Sequence, residues 1–103
     1  MGTATNKFNP GDIIHHRRYD YRGVIVGWDP SCQADGQWYQ SNQTQPDRDQ
    51  PWYHVLVDGS DATTYAAQEN LEPATDTGEI THPLLKEVFA SYFKGRYYKE
   101  SLN

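Results

Sequence analysis

The chain has 103 residues, 36% of them apolar and 14% aromatic, which is enough for one domain with one modest core and too little for two. Its formal net charge of −5 is carried by residues 7–73, where ten acidic side chains stand against five basic ones, so a broadly cationic face for non-specific nucleic-acid binding is excluded. The single Cys32 excludes an internal disulfide framework and a thiolate metal cluster, and no apolar run is long enough to span a bilayer.

A reducing compartment, cytoplasmic or nuclear, is the expected setting, since the polar N-terminus lacks the layout of a signal peptide. Residues 1–7 are expected to form a disordered tail. Turn chemistry at Phe8-Asn9-Pro10-Gly11-Asp12 leads into a first strand near Asp12 to Arg17. The β-branched and aromatic stretch from Tyr21 to Trp28 predicts a second strand, stopped at Asp29-Pro30. Gly23 and Gly27 flank its apolar centre, where a bulge or sharp bend fits.

From Ser31 to Gln50 the sequence turns to Gln, Asn, Asp, Ser and Pro, which predicts a long, mobile excursion with little core of its own. Trp52 to Val57 predicts a third strand, Asp58-Gly59-Ser60-Asp61 a hairpin turn, and Thr63 to Ala66 the returning strand. Asn70 to Pro73 predicts a last short strand or turn. Beyond a polar joint at residues 74–78, Thr81-His82-Pro83 opens a predicted helix. Leu84, Leu85, Val88, Phe89, Tyr92 and Phe93 fall at helical spacing, and Gly95 ends it. That stripe either docks on the sheet or is offered to a partner.

Together these elements predict a mostly β fold: a small SH3-like antiparallel β-barrel of about five strands over residues 8–73, with a long polar loop. Residues 74–103 would form a linker and a C-terminal helix packed on the barrel.

Three segments in order, Gly23-Val24-Ile25-Val26 with Asp29-Pro30, Pro51 to Val57 (PWYHVLV) and Thr64 to Leu71 (TYAAQENL), resemble the YccV/HspQ domain, also called hemimethylated-DNA-binding-like. His16 sits where that family carries a histidine before its second strand. His16 to Tyr19 running to Tyr21, Gly27 to Pro30, Tyr65 to Leu71 and Ile80 to Pro83 look like the C-terminal domain of a eukaryotic F-box-only protein. F-box proteins are substrate adaptors of ubiquitin ligases, and nothing in this chain resembles the F-box itself. The resemblance implies binding rather than catalysis, with either a protein in a degradation setting or hemimethylated DNA as partner.

The residues themselves supply few catalytic options. His15 and His16 are adjacent and point to opposite faces of a strand, while His54 and His82 lack coordinating spacing, so no metal site is expected. Neither Cys32 nor Ser60 has the context of an activated nucleophile, no glycine loop cradles phosphate, and no cofactor is expected.

Two recognition surfaces remain open. For DNA phosphate the candidates are His16, Arg17, Arg18 and Arg22, the one concentrated basic feature, with Tyr19 and Tyr21 beside them for stacking. For a protein partner the candidates are Trp38, Tyr39, Tyr19, Tyr21, Trp52 and Tyr65. Alternation places Trp52 with His54 and Leu56 on one face of its strand and Tyr53 with Val55 and Val57 on the other. Both sets are apolar, so one face could form a half-exposed aromatic pocket for a peptide or a methylated cation. Trp38 and Tyr39, in the polar loop, are the expected solvent-side anchors. The acidic charge ranks a protein partner above DNA.

Overall fold

The computed structural model describes residues 5–101. Strands β1 (Ile13–His16), β2 (Arg22–Asp29), β3 (Trp52–Val57), β4 (Thr63–Ala67) and β5 (Leu71–Pro73) form one antiparallel sheet in the order β4-β3-β2-β1-β5. The mostly β class and the five strands are those expected.

The sheet curls but stays open. Ala66 of β4 and Leu71 of β5, from its two edges, share one core with Phe8, Ile14, Ile25, Tyr53 and Val55. Yet β4 and β5, joined by a 3-10 turn at Gln68–Asn70, do not pair with each other, so no barrel closes. One reason is local: β5 has only three residues and ends in Pro73, which has no amide to donate.

The other face of the sheet is covered too. Ile13, Val24 and Leu56 alternate with the first core's residues and pack against Ile80, Phe89 and Tyr97 of the C-terminal segment. Val24, Ile25 and Val55 are wholly buried, each contributing about 1.5–3 kcal/mol on the usual area scale. Burial on both faces explains why β3 is apolar at both parities. A bulge between Ile25 and Gly27 shifts the β2–β3 register, bringing Gly27 opposite His54 and Asp29 opposite Trp52.

The C-terminal helix is a correction. Only Leu85–Val88 (α2) is helical, a single turn, and residues 91–98 form a hairpin of β6 (Ser91–Phe93) and β7 (Arg96–Tyr98). Lys94 and Gly95 both have positive φ, 51° and 82°, which is the two-residue turn that matches strand twist. The hairpin docks through Tyr97, whose amide donates to Gly11 O at 3.0 Å and whose hydroxyl accepts from Ile80 N at 2.8 Å.

Residues 31–50 are also better ordered than their composition predicts. They carry a short helix, α1 (Gly36–Ser41), capped by Asp35, whose carboxylate accepts from Trp38 N at 2.8 Å. The Arg48 guanidinium donates to the carbonyls of Cys32 and Ala34, and Trp52 Nε1 donates to Asp47 O at 3.2 Å. Polar bonds to the main chain thus hold a segment that has little apolar surface to bury. At the N-terminus, Lys7 N donates to Gln68 Oε1 at 2.8 Å and Thr5 O accepts from Gln68 Nε2, so residues 5–7 are tied to the sheet. The rest of the expected tail, residues 1–4, lies outside the described residues.

Candidate functional site

A groove of about 880 Å³ follows β4, whose residues Thr63, Thr64, Tyr65 and Ala66 all line it. Trp38 of α1 stands at one side and Leu84 and Val88 at another, while Tyr19 and Tyr21 approach from the β1–β2 turn. It has an aromatic wall. The Trp38 ring lies 5.8 Å from Tyr65 and 6.3 Å from Trp52, and Trp52 lies 5.3 Å from Tyr65, mostly in edge and tilted arrangements.

Hairpin register sets His54 opposite Tyr65, with ring centroids 4.6 Å apart. Beside them the bulge has carried Asp29 into reach. Its Oδ2 accepts from the Tyr65 hydroxyl at 2.7 Å and lies 3.3 Å from His54 Nε2. Burial, and then the bond to the Asp29 carboxylate, pushes the Tyr65 phenol up to about 12, so it stays protonated and serves as a donor. Asp29 is the one carboxylate in the lining, and no Lys or Arg side chain joins it.

At the other side, His16 is buried, and its Nδ1 accepts from the amides of Arg18 and Tyr19 at 3.1 and 3.0 Å. The Tyr19 ring stacks on it at 4.7 Å and Tyr21 at 5.0 Å. Burial, helped by the neighbouring charges of His15 and Arg18, lowers the His16 imidazole to about 4. It is uncharged at neutral pH and organises the Arg17–Asp20 turn.

The candidate phosphate contacts therefore do not converge. Arg22 donates to Asp58 Oδ2 at 3.0 Å and to the carbonyls of Asp76, Gly78 and Glu79, binding the C-terminal segment to the β3–β4 turn. Arg17 stands 3.7 Å from Glu72, and both Arg17 and Arg18 are exposed. Of the two expected solvent-side anchors, Trp38 is 36% exposed, whereas Tyr39 turns inward. The Tyr39 hydroxyl donates to Pro46 O at 2.7 Å, and Arg48 lies over its ring at 4.8 Å. Trp52 is buried beneath Trp38 and supports the wall.

Asp29 and His54 are the groove residues that sequence reasoning missed. The hairpin register alone would have paired His54 with Tyr65, but the bulge that delivers Asp29 has no signal beyond Gly27. The remaining histidines have partners of their own: His15 bridges Asp20 and Glu72 at 2.6 and 2.7 Å, and His82 Nε2 donates to Ala62 O at 2.9 Å.

A family model described as "Hemimethylated DNA-binding protein YccV like" matches residues 6–96, taking in the whole sheet, both sides of the groove and the C-terminal segment as far as β7. The chain belongs to the YccV-like family. Among curated proteins this YccV-like chain is similar to "F-box only protein 21" of Pongo abelii and of Homo sapiens, each 42% identical over 95 residues, and to that of Mus musculus at 41%. The alignments cover 88% of the chain and 15% of each relative, so the YccV-like chain corresponds to a small part of those proteins.

Proposed function

We propose that this YccV-like domain is a non-catalytic recognition module that holds a protein partner or degradation substrate in the groove along β4, inside the cell. The aromatic wall of Trp38 and Tyr65, backed by the buried Trp52 and set beside one carboxylate and no cationic side chain, carries the reading. Rings supply large contact area with little conformational entropy to lose, and Tyr and Trp also offer polar tips. Phosphate recognition needs convergent cations, and Arg22, the most firmly placed guanidinium, is already bonded to the protein. The Tyr65 phenol, held protonated, is a hydrogen-bond donor and no general base.

The likeness to F-box only proteins supports a ubiquitin-ligase setting in which the domain selects what is bound. The family description favours a second reading, hemimethylated DNA, with Arg17, Arg18 and Tyr19 as its contact surface. Capture from cell extract with the wild-type chain and Trp38→Ala, alongside salt titrations with hemimethylated, fully methylated and unmethylated duplexes, tests both. The expected outcome is a protein retained by wild type and lost by Trp38→Ala, with duplex binding that is weak and indifferent to methylation. Sub-micromolar, hemimethyl-selective binding at physiological salt would reverse the assignment.

A further inference from the structure

The two edges of the sheet are built differently. At one, β5 is three residues long, carries Glu72 and ends in Pro73, features that discourage a further strand. At the other, β4 reads Thr-Thr-Tyr-Ala-Ala, with no charge, proline or bulge to guard it. The register shows which of its backbone groups are free. Val57 N donates to Ala62 O at 3.1 Å and Gln68 N donates to Pro51 O at 2.9 Å, so residues 62, 64, 66 and 68 turn their amides and carbonyls towards β3. Thr63 and Tyr65 turn theirs outward, into the groove, and among the described residues no hydrogen-bonding group meets them.

We infer that β4 is a docking edge: an extended segment of the partner protein adds to the sheet there as a sixth strand, placing a Lys or Arg side chain on Asp29. The inference rests on the protein-partner reading above and specifies its geometry. A strand laid against Thr63 and Tyr65 sends alternate side chains to opposite faces. One set meets Tyr19 and Tyr21, and the other meets Trp38, His54 and Asp29. Asp29 selects the cation. Its Oδ2 is engaged by Tyr65 and His54, Oδ1 has no partner among the described residues, and the Trp38 and Tyr65 rings alongside offer cation–π contact. A second copy of the chain is a poor occupant, because each copy carries a net charge of −5 and would bring its own Asp29 to the seam.

A random octapeptide display library selected on the full chain tests this. The enriched peptides should share one Lys or Arg, and selection on Asp29→Asn should lose that preference. N-methylating the consensus peptide at amides that face β4 should weaken binding at least about tenfold, a loss of about 1.4 kcal/mol, while methylation at the alternating amides leaves it within about twofold. Thr63→Pro removes an outward donor and spares the β3 ladder, so it should weaken the same peptide about tenfold with thermal stability retained. The methylated peptides need no protein variant and decide the matter if Thr63→Pro unfolds. Failure to enrich any peptide, methylation effects without alternation, or self-association through β4 in sedimentation would overturn the edge. Extract capture that depends on Trp38 but not on Thr63 would overturn it while leaving the recognition function standing, and capture that depends on neither would remove both.

Discussion

Arg22 and His16 show how a residue's partners decide its role. By residue type both look like phosphate ligands, yet Arg22 spends its whole guanidinium and His16 its Nδ1 inside the protein. Arg22 joins three carbonyls and the Asp58 carboxylate, so Arg22→Ala strands several acceptors near the β3–β4 turn. Chemical denaturation should show a loss of about 2 kcal/mol, with little change in partner capture. His16 makes stability depend on pH. Its folded value is depressed from 6.5 to about 4, so the unfolded chain takes up the proton first and stability falls as pH drops through that interval.

The neighbouring His15 acts in the opposite sense. Hydrogen bonds that the imidazolium donates to the Asp20 and Glu72 carboxylates raise it, so its contribution is present below its unfolded value and lost as pH rises through the folded one. Denaturation should therefore show wild type losing stability relative to His15→Gln as pH rises above 6.5, while the two run parallel between pH 6.5 and pH 4. His16→Gln should flatten the profile by about 2 kcal/mol over the interval. Equal slopes in all three proteins would show that neither imidazole is coupled to folding.

At the scale of elements, the strands of the five-stranded sheet were legible, whereas the terminal hairpin and the structure of residues 31–50 were not. The bounds of β3 follow from its apolar residues between Pro51 and the Asp58 turn, because both of its faces are buried and both parities must be apolar. The C-terminal stripe misled for a physical reason: Leu85, Val88, Phe89, Tyr92 and Phe93 satisfy helical spacing, yet Phe-Lys-Gly-Arg-Tyr is equally a two-residue hairpin between aromatic strands. What favours the hairpin is long-range, since Tyr97 must reach Ile80 and Gly11. Likewise the polarity of residues 31–50 hid Arg48, whose bonds to two carbonyls are not a pattern in sequence.

The docking of the hairpin can be tested at Gly11. Its φ is +100° and an added Cβ would run into Tyr97 O, so Gly11→Ala is strained twice over. Thermal or denaturant unfolding should show at least about 2 kcal/mol lost, with the amides of residues 91–98 exchanging first. Unchanged exchange there would mean that the hairpin does not depend on this contact.

For the whole molecule, charge and shape are the grounds for the proposed protein partner. An acidic chain whose arginines are scattered or bonded at home lacks the concentrated counter-charge that drives duplex binding. The curled sheet instead leaves one edge unguarded, beside a wall of rings and a single carboxylate. Sequence alone supplied the rings Trp38 and Tyr65 and ranked a protein partner above DNA, but Asp29 and His54 join the site only through the bulge and the hairpin register.

The most direct test is an amide chemical-shift map of the isotope-labelled chain on titration with the protein captured from extract. Perturbations are expected to centre on Asp29, Trp38, His54 and Thr63 to Tyr65. Silence at those residues, with the changes gathered instead at Arg17, Arg18 and the turn to Asp20, would contradict the groove as the recognition surface.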